Sequence, residues 1–169
     1  MDTSQYTKTQ LVLLVILRVL IGWYFLYEGL SKVFAPNWSA YGYLMDSKGI
    51  FASLFTAIAE NPTLLSIANF ANIYGLILIG LSLMLGLFAN VGQIGAIFFL
   101  ALYYLSHPPL INATYILPAE GSYLWVDKNL IMMSALLVLM VFPNSVCIGL
   151  DRFLKKIAQK HNVHNGRQY

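Results

Sequence analysis

Four long apolar runs, at residues 10–34, 65–88, 91–105 and 129–142, dominate the chain. Each approaches the roughly 20 residues that an α-helix needs to cross the hydrocarbon core of a bilayer. The third is the shortest and must stand near-upright or carry flanking residues into the interface. Only Ala89, Asn90 and a few neighbours join the second and third runs, a link that forces an antiparallel helical hairpin. The other two connections, 36–63 and 106–128, are long, and loops of that length are usually functional or have structure of their own.

The first long loop carries Ile50, Phe51, Leu54, Phe55 and Ile58 at helical spacing, opposite Ser53, Thr56 and Glu60. This pattern predicts a short amphipathic helix on the membrane surface, ended by Pro62. Trp38, Tyr41 and Tyr43 before it suit the headgroup zone. Beyond the break at Pro143 and Asn144, the residues Val146, Leu150, Phe153, Leu154 and Ile157 share a face, which predicts an amphipathic C-terminal helix. Residues 161–169 read as a frayed end. The expected fold is all-α: one membrane-embedded four-helix bundle, spanning the 169 residues as a single domain, with these two amphipathic helices added.

Composition agrees with the pattern. Hydrophobic residues make up 59% of the chain and charged residues 10%, with a mean hydropathy of +0.68. An ordinary soluble domain is about 25% charged, and a chain this apolar has too little polar surface to face water, so lipid is the expected solvent. The net charge is +3, but its placement says more: Arg152, Lys155, Lys156, Lys160 and Arg167, half of the ten basic residues, follow the last run. Beside a membrane span such a tail points to anionic cytoplasmic headgroups rather than to nucleic acid. Lys and Arg placement sets orientation, so both termini are expected in the cytoplasm of a bacterial inner membrane and both long loops outside. Lys48 and Lys128 weakly oppose this. The run from Leu11 contains Arg18 and continues to Lys32, and is expected to be a retained span rather than a cleaved signal. The lone Cys147 rules out an internal disulfide or a CxxC redox pair.

Charge inside the first run is the most informative chemical feature. With Arg18 as zero and about 100° per residue, Glu28 falls near 280° and Lys32 near 320°. The three charges share a face with Gly22, Phe25 and Gly29, and charge facing lipid costs several kcal/mol, so this face is expected to point into the bundle. Glu28 precedes Lys32 by four residues, the favourable order for an intrahelical ion pair. Two readings stand: a structural pair with Arg18 snorkelling to headgroups, or a pocket for an anion or redox headgroup. Asn72, Gly75, Ile79, Ser82 and Gly86 line one side of the second run, and Gly92, Ala96, Phe99, Tyr103 and Ser106 one side of the third, stripes suited to close helix packing. His107 ends the third run with no second His at metal-ligand spacing, so no metal site is expected. It titrates near neutral pH, which leaves proton transfer open. Asp127 and Asn129 read as helix caps, and Tyr123 and Trp125 as interface anchors. There is no phosphate-binding glycine loop, dinucleotide fingerprint or haem-attachment motif.

Arg18 followed by Gly22, then Tyr27-Glu28-Gly29 and Lys32, resembles the DoxX/DoxD family. So do the second span around Gly80 and Gly86 and the stretch from Glu120-Gly121-Ser122-Tyr123 to Lys128-Asn129-Leu130-Ile131. The family is named for the small membrane subunit of thiosulfate:quinone oxidoreductase, which passes electrons from thiosulfate to quinone. The resemblance implies a quinone-linked oxidoreductase subunit, with quinone as a diffusible acceptor, no covalently bound cofactor, and a second membrane or periplasmic subunit or a homo-oligomer as partner. On that reading Glu28, Lys32 and His107 are the catalytic candidates, and Arg18, Asn72, Tyr103 and Tyr123 the quinone-binding ones. Arg18 lies ten residues from Glu28, about 15 Å along a helix, and suits a different site. One departure is Met132, where the resemblance leads one to expect an acid. A non-catalytic scaffold and a small oligomeric transporter are the alternatives.

Overall fold

A computed structural model describes residues 6–110, 114–116 and 124–157. The described residues form helices and turns. Helix α1, Lys8–Phe34, starts on a capping box: Thr7 Oγ1 accepts from Gln10 N at 3.2 Å, and Gln10 returns the bond to Thr7 N at 2.9 Å. The second rod is continuous from Pro62 to Leu85. It comprises α4 (Pro62–Phe70), one π-helical turn (Ala71–Gly75) and α5 (Leu76–Leu85). Asn61 caps it through Thr63 N and Leu64 N, with Pro62 in the first helical position, where its missing N–H costs nothing. The proline expected to stop the loop helix therefore also starts the next span, three residues earlier than its apolar run. Gly86, at φ +62°, ends α5, and α6 (Ala89–Ser106) follows at once. Helix α7, Lys128–Val141, is capped by Asp127, whose Oδ1 accepts from Leu130 N at 2.9 Å; Asn129 bonds to that same carboxylate.

Between α1 and α5 the backbones come almost into contact. A Cβ added at Gly22 would lie 2.9 Å from Met84 N, at Gly29 2.9 Å from Ile77 N, and at Gly80 2.5 Å from Leu26 N. In lipid, where apolar surface gains nothing by leaving the solvent, such close van der Waals packing drives helix association. The expected small-residue contact between the second and third spans is present too, with Gly92 against Ser82. Phe25, Leu76, Leu83, Ala96, Leu100, Leu136 and Leu139 fill the core. Tyr104 Oη donates to Trp125 O at 2.8 Å at one end of α6, and Asp151 meets Phe88 N at 2.7 Å at the other, so the chain through α7 runs back antiparallel to α6.

Large apolar side chains face outward all round: Leu13, Leu20 and Trp23 on α1, Ile67 and Leu78 on the second rod, Val91 and Phe98 on α6, Leu137 and Val141 on α7. Three helices, Lys8–Phe34, Pro62–Leu85 and Ala89–Ser106, are long and apolar enough to cross a bilayer. Helix α7, with 14 residues, falls short of that length. At 1.5 Å per residue it spans about 21 Å.

The first long loop folds onto the bundle. It forms α2 (Tyr41–Met45) and α3 (Ala52–Glu60), whose Ala40, Leu44, Phe55 and Ala59 make a second small core with Trp38, Ile58, Leu65, Ala68 and Leu102. Of the predicted surface face, Phe55 is buried inward while Ile50, Phe51 and Leu54 remain exposed. The tail differs from expectation at its start: residues 143–150 are turns, and the helix begins at 151, so Val146 is not on it. Those turns are held by Leu150 N to Leu85 O (3.1 Å) and Asp151 N to Gly86 O (2.9 Å), a docking that apolar periodicity does not encode. Lys160, Arg167 and the end at 161–169 lie outside the described residues.

Candidate functional site

A cavity of about 560 Å³ opens where α1, the π turn, α6 and the start of α7 meet beneath α2 and α3. Glu28 and Lys32 sit one turn apart on α1 at its wall. Lys32 Nζ pairs with Glu28 Oε2 at 2.7 Å, bonds to Glu28 O at 3.0 Å, and stands 5.5 Å over the Trp38 ring. The ammonium side chain is 14% exposed and the carboxylate 40%, so the charged face points inward through Lys32 more than through Glu28.

Asn72 lies in the π turn. π turns inside helices frequently occur at functional sites, and nothing in Ala71-Asn72-Ile73-Tyr74-Gly75 announces one in advance. Its Nδ2 donates to Ala68 O at 3.1 Å, and its Oδ1 accepts from Tyr103 Oη at 2.6 Å. Tyr43 on α2 meets Tyr103 edge to face at 5.9 Å. Phe25, Leu76, Phe99 and Leu102 supply apolar walls, and Lys128 and Asn129 close the α7 side, with Lys128 Nζ 5.5 Å over Tyr24. The cavity is thus mostly apolar with a few fixed polar groups, the pattern of small-molecule sites, which typically occupy about 300–1,000 Å³. Met132, in the place of the expected acid, packs on the bundle core and does not line the cavity.

Glu28, Lys32, Asn72 and Tyr103 are brought together here. Tyr123 lies outside the described residues. Arg18 is elsewhere. Its side chain, 2% exposed, reaches the segment after α7: Nη1 donates to Asn144 Oδ1 at 2.5 Å and Nη2 to Ile148 O at 2.7 Å. Asp151 supplies nearby negative charge and caps α6 through Phe88 N and Ala89 N. Arg18 therefore clasps the segment after α7 to the α5–α6 turn, away from the cavity.

His107 stands beside the cavity, behind Ser106, which lines it. Its ring stacks on Tyr43 at 4.0 Å and meets Tyr115 at 4.7 Å. Nδ1 bonds with Ser106 Oγ at 3.1 Å, and Nε2 faces Asp46 Oδ2 at 3.8 Å. Burial holds the imidazole below its ordinary range, and the Asp46 carboxylate pulls partly the other way. Burial also pushes the Tyr43 and Tyr115 hydroxyls up, so both stay neutral. The reading of the chain missed Asp46. It is a buried acid on a short loop helix, 61 positions from its histidine, and its one signal is the polar break Asp46-Ser47-Lys48 after an aromatic stretch.

Fold and cavity together define a polytopic helical membrane protein with an amphiphilic pocket at one end of the bundle. The DoxX family model matches residues 13–108, more than half of the chain, and the protein belongs to the DoxX family. No curated protein and no solved structure matches it.

Proposed function

We propose that the cavity receives a quinone headgroup and that the chain is the membrane-embedded subunit of a quinone-linked oxidoreductase, with thiosulfate as the electron source suggested by family resemblance. The observation that carries the reading is the cavity lining: mostly apolar walls that hold the Tyr103–Asn72 pair and the Lys32–Glu28 pair. A quinone needs apolar walls for its ring and polar groups for its two carbonyl oxygens. Tyr103 and Asn72 orient one oxygen, and Lys32 places positive charge where negative charge grows on reduction. A quinone taking two electrons also takes two protons, and two thiosulfates joined through sulfur release two electrons. Glu28 is half-exposed at the mouth and suited to proton exchange. In this reading electrons enter from a second subunit.

In this reading α7 crosses the membrane as the fourth span, with residues 124–127 and 142–143 extending it to the interfaces. The exposed Arg152 and Lys155 then face cytoplasmic headgroups of a bacterial inner membrane, both termini are cytoplasmic, and the cavity opens toward the outer leaflet. One observation favours the scaffold alternative: Glu28–Lys32 and Asn72–Tyr103 are already paired within the chain.

The test is binding of decylubiquinone to the full chain in lipid nanodiscs, read by quenching of tryptophan fluorescence. Wild type should quench saturably, and Trp38→Phe should lose most of the signal. Asn72→Ala should weaken binding about fivefold to tenfold, the loss expected for one hydrogen-bonding group. No quenching in wild type would refute the quinone assignment and leave the scaffold.

A further inference from the structure

The cluster behind the cavity goes beyond a binding pocket. Asp46, at the end of α2, is 6% exposed and accepts from Ile116 N at 2.8 Å. Ser106, 1% exposed, shares a hydrogen bond with Ser47 Oγ. His107 lies between them, clamped by two aromatic rings, with one nitrogen on Ser106 and the other facing Asp46. Among the described residues Nε2 makes no hydrogen bond, although it is buried. An unpartnered ring nitrogen facing a carboxylate is open to a proton that arrives from it. The 3.8 Å interval to Asp46 is too long for a hydrogen bond in the neutral state, and becomes an ion pair when a proton arrives on Nε2.

We propose that Asp46, His107 and Ser106 form a proton relay that connects the outer loop to the cavity. In one pass Asp46 takes a proton from the loop side and hands it to Nε2. Nδ1 gives its own proton to Ser106 Oγ, and that hydroxyl passes its proton to an oxygen of the molecule in the cavity. One proton has moved inward, Asp46 is again a carboxylate, and the ring is left protonated on Nε2. Tyr43 stacks on the ring and Tyr115 lies tilted against it, so both hold the imidazole in place while its nitrogens stay at the edge. The other charge nearby is Lys48, held by Thr114 O and standing 5.1 Å over Tyr115, where it biases against a lasting positive charge on the ring. A site that neither holds nor refuses a proton strongly is what transfer requires. The relay rests on the quinone reading only for the identity of the molecule served.

The experiment uses the full chain in nanodiscs with His161→Gln and His164→Gln, so that ¹⁵N-histidine signals report His107 alone. Asp46→Asn should slow exchange of the His107 ring proton with water by about tenfold or more, in line with losing a positioned acid–base group. Asp46→Glu should restore it. A merely structural Asp46 would give the opposite sign, since its loss loosens the site and speeds exchange; unchanged or faster exchange overturns the relay. Asp46→Ser replaces Asp46→Asn if the latter does not fold. In a second arm, decylubiquinone should shift the His107 titration midpoint, and Ser106→Ala should abolish the shift, each variant being read at a quinone concentration that saturates its own quenching. Quenching without any midpoint shift in wild type overturns the connection to the cavity. Absence of quenching refutes the quinone assignment, and the exchange arm then decides the relay by itself.

Discussion

Arg18 shows how a residue's type can be legible when its partner is not. Its position in an apolar run demands an inward answer, and that answer, Asn144 and Ile148 O, comes 126 and 130 residues later from a stretch of turns. Asn144→Ala should lower stability by about 2 kcal/mol, the cost of removing a hydrogen bond to a charged group, measurable by unfolding in mixed micelles. Asn144→Asp should cost less, since it keeps the acceptor. His107 makes a prediction in pH. Its folded-state affinity for protons is lowered by burial, so the unfolded chain binds more protons on acidification. Stability contributed by neutral His107 is complete above the unfolded value, about 6.5. It falls as pH drops below that value and levels off below the lowered folded one. Thermal unfolding from pH 7.5 to 5 should show this slope in wild type and a flatter one in His107→Gln. The pairing of Glu28 with Lys32 was readable because it is local; the Asp46–His107 approach was not, because it depends on how a loop folds back.

At the scale of elements, most boundaries followed from local chemistry. Asp127 caps α7 as its type and place suggest. The spans follow from the requirement that lipid-facing backbone groups bond within their own helix. The π turn escaped because its cause is not an apolar period. The tail helix began late because Asn144 to Gly149 are drawn into the α5–α6 turn, where Gly149 lies against Gly86. The glycines of α1 and α5 make the sharpest element-level prediction. Gly80→Ala puts a methyl 2.5 Å from the backbone nitrogen of Leu26, which cannot yield without separating the helices. The expected loss is about 1–3 kcal/mol, the usual cost of overpacking. Gly42→Ala meets nothing within 4 Å and serves as the control, with a change expected within about 0.5 kcal/mol. Equal effects of the two substitutions would contradict backbone contact between α1 and α5.

For the whole molecule, membrane character was legible from composition and the exposed apolar girdle bears it out, but crossing number and sidedness rest on α7. If that helix completes a fourth crossing, the α2–α3 cap and the basic segment after α7 face opposite compartments. In a Cys147→Ala background, Ser53→Cys should react with a membrane-impermeant maleimide in intact cells, and Arg152→Cys only after permeabilisation. Both positions are exposed, so labelling reads sidedness rather than burial. Reaction of both before permeabilisation would place α7 along the interface.

The clasp on Arg18 also sets an order of events during synthesis. The guanidinium enters the bilayer with the first helix, yet the groups that answer it are made some 126 residues later. Until then the guanidinium has no partner within the chain and must reach along its helix toward the headgroups, an arrangement less favourable than the finished clasp. Truncated copies that stop before Asn144 should therefore be poor at leaving the insertion machinery and preferred prey for membrane proteases, so the arrangement marks which copies carry the segment after α7.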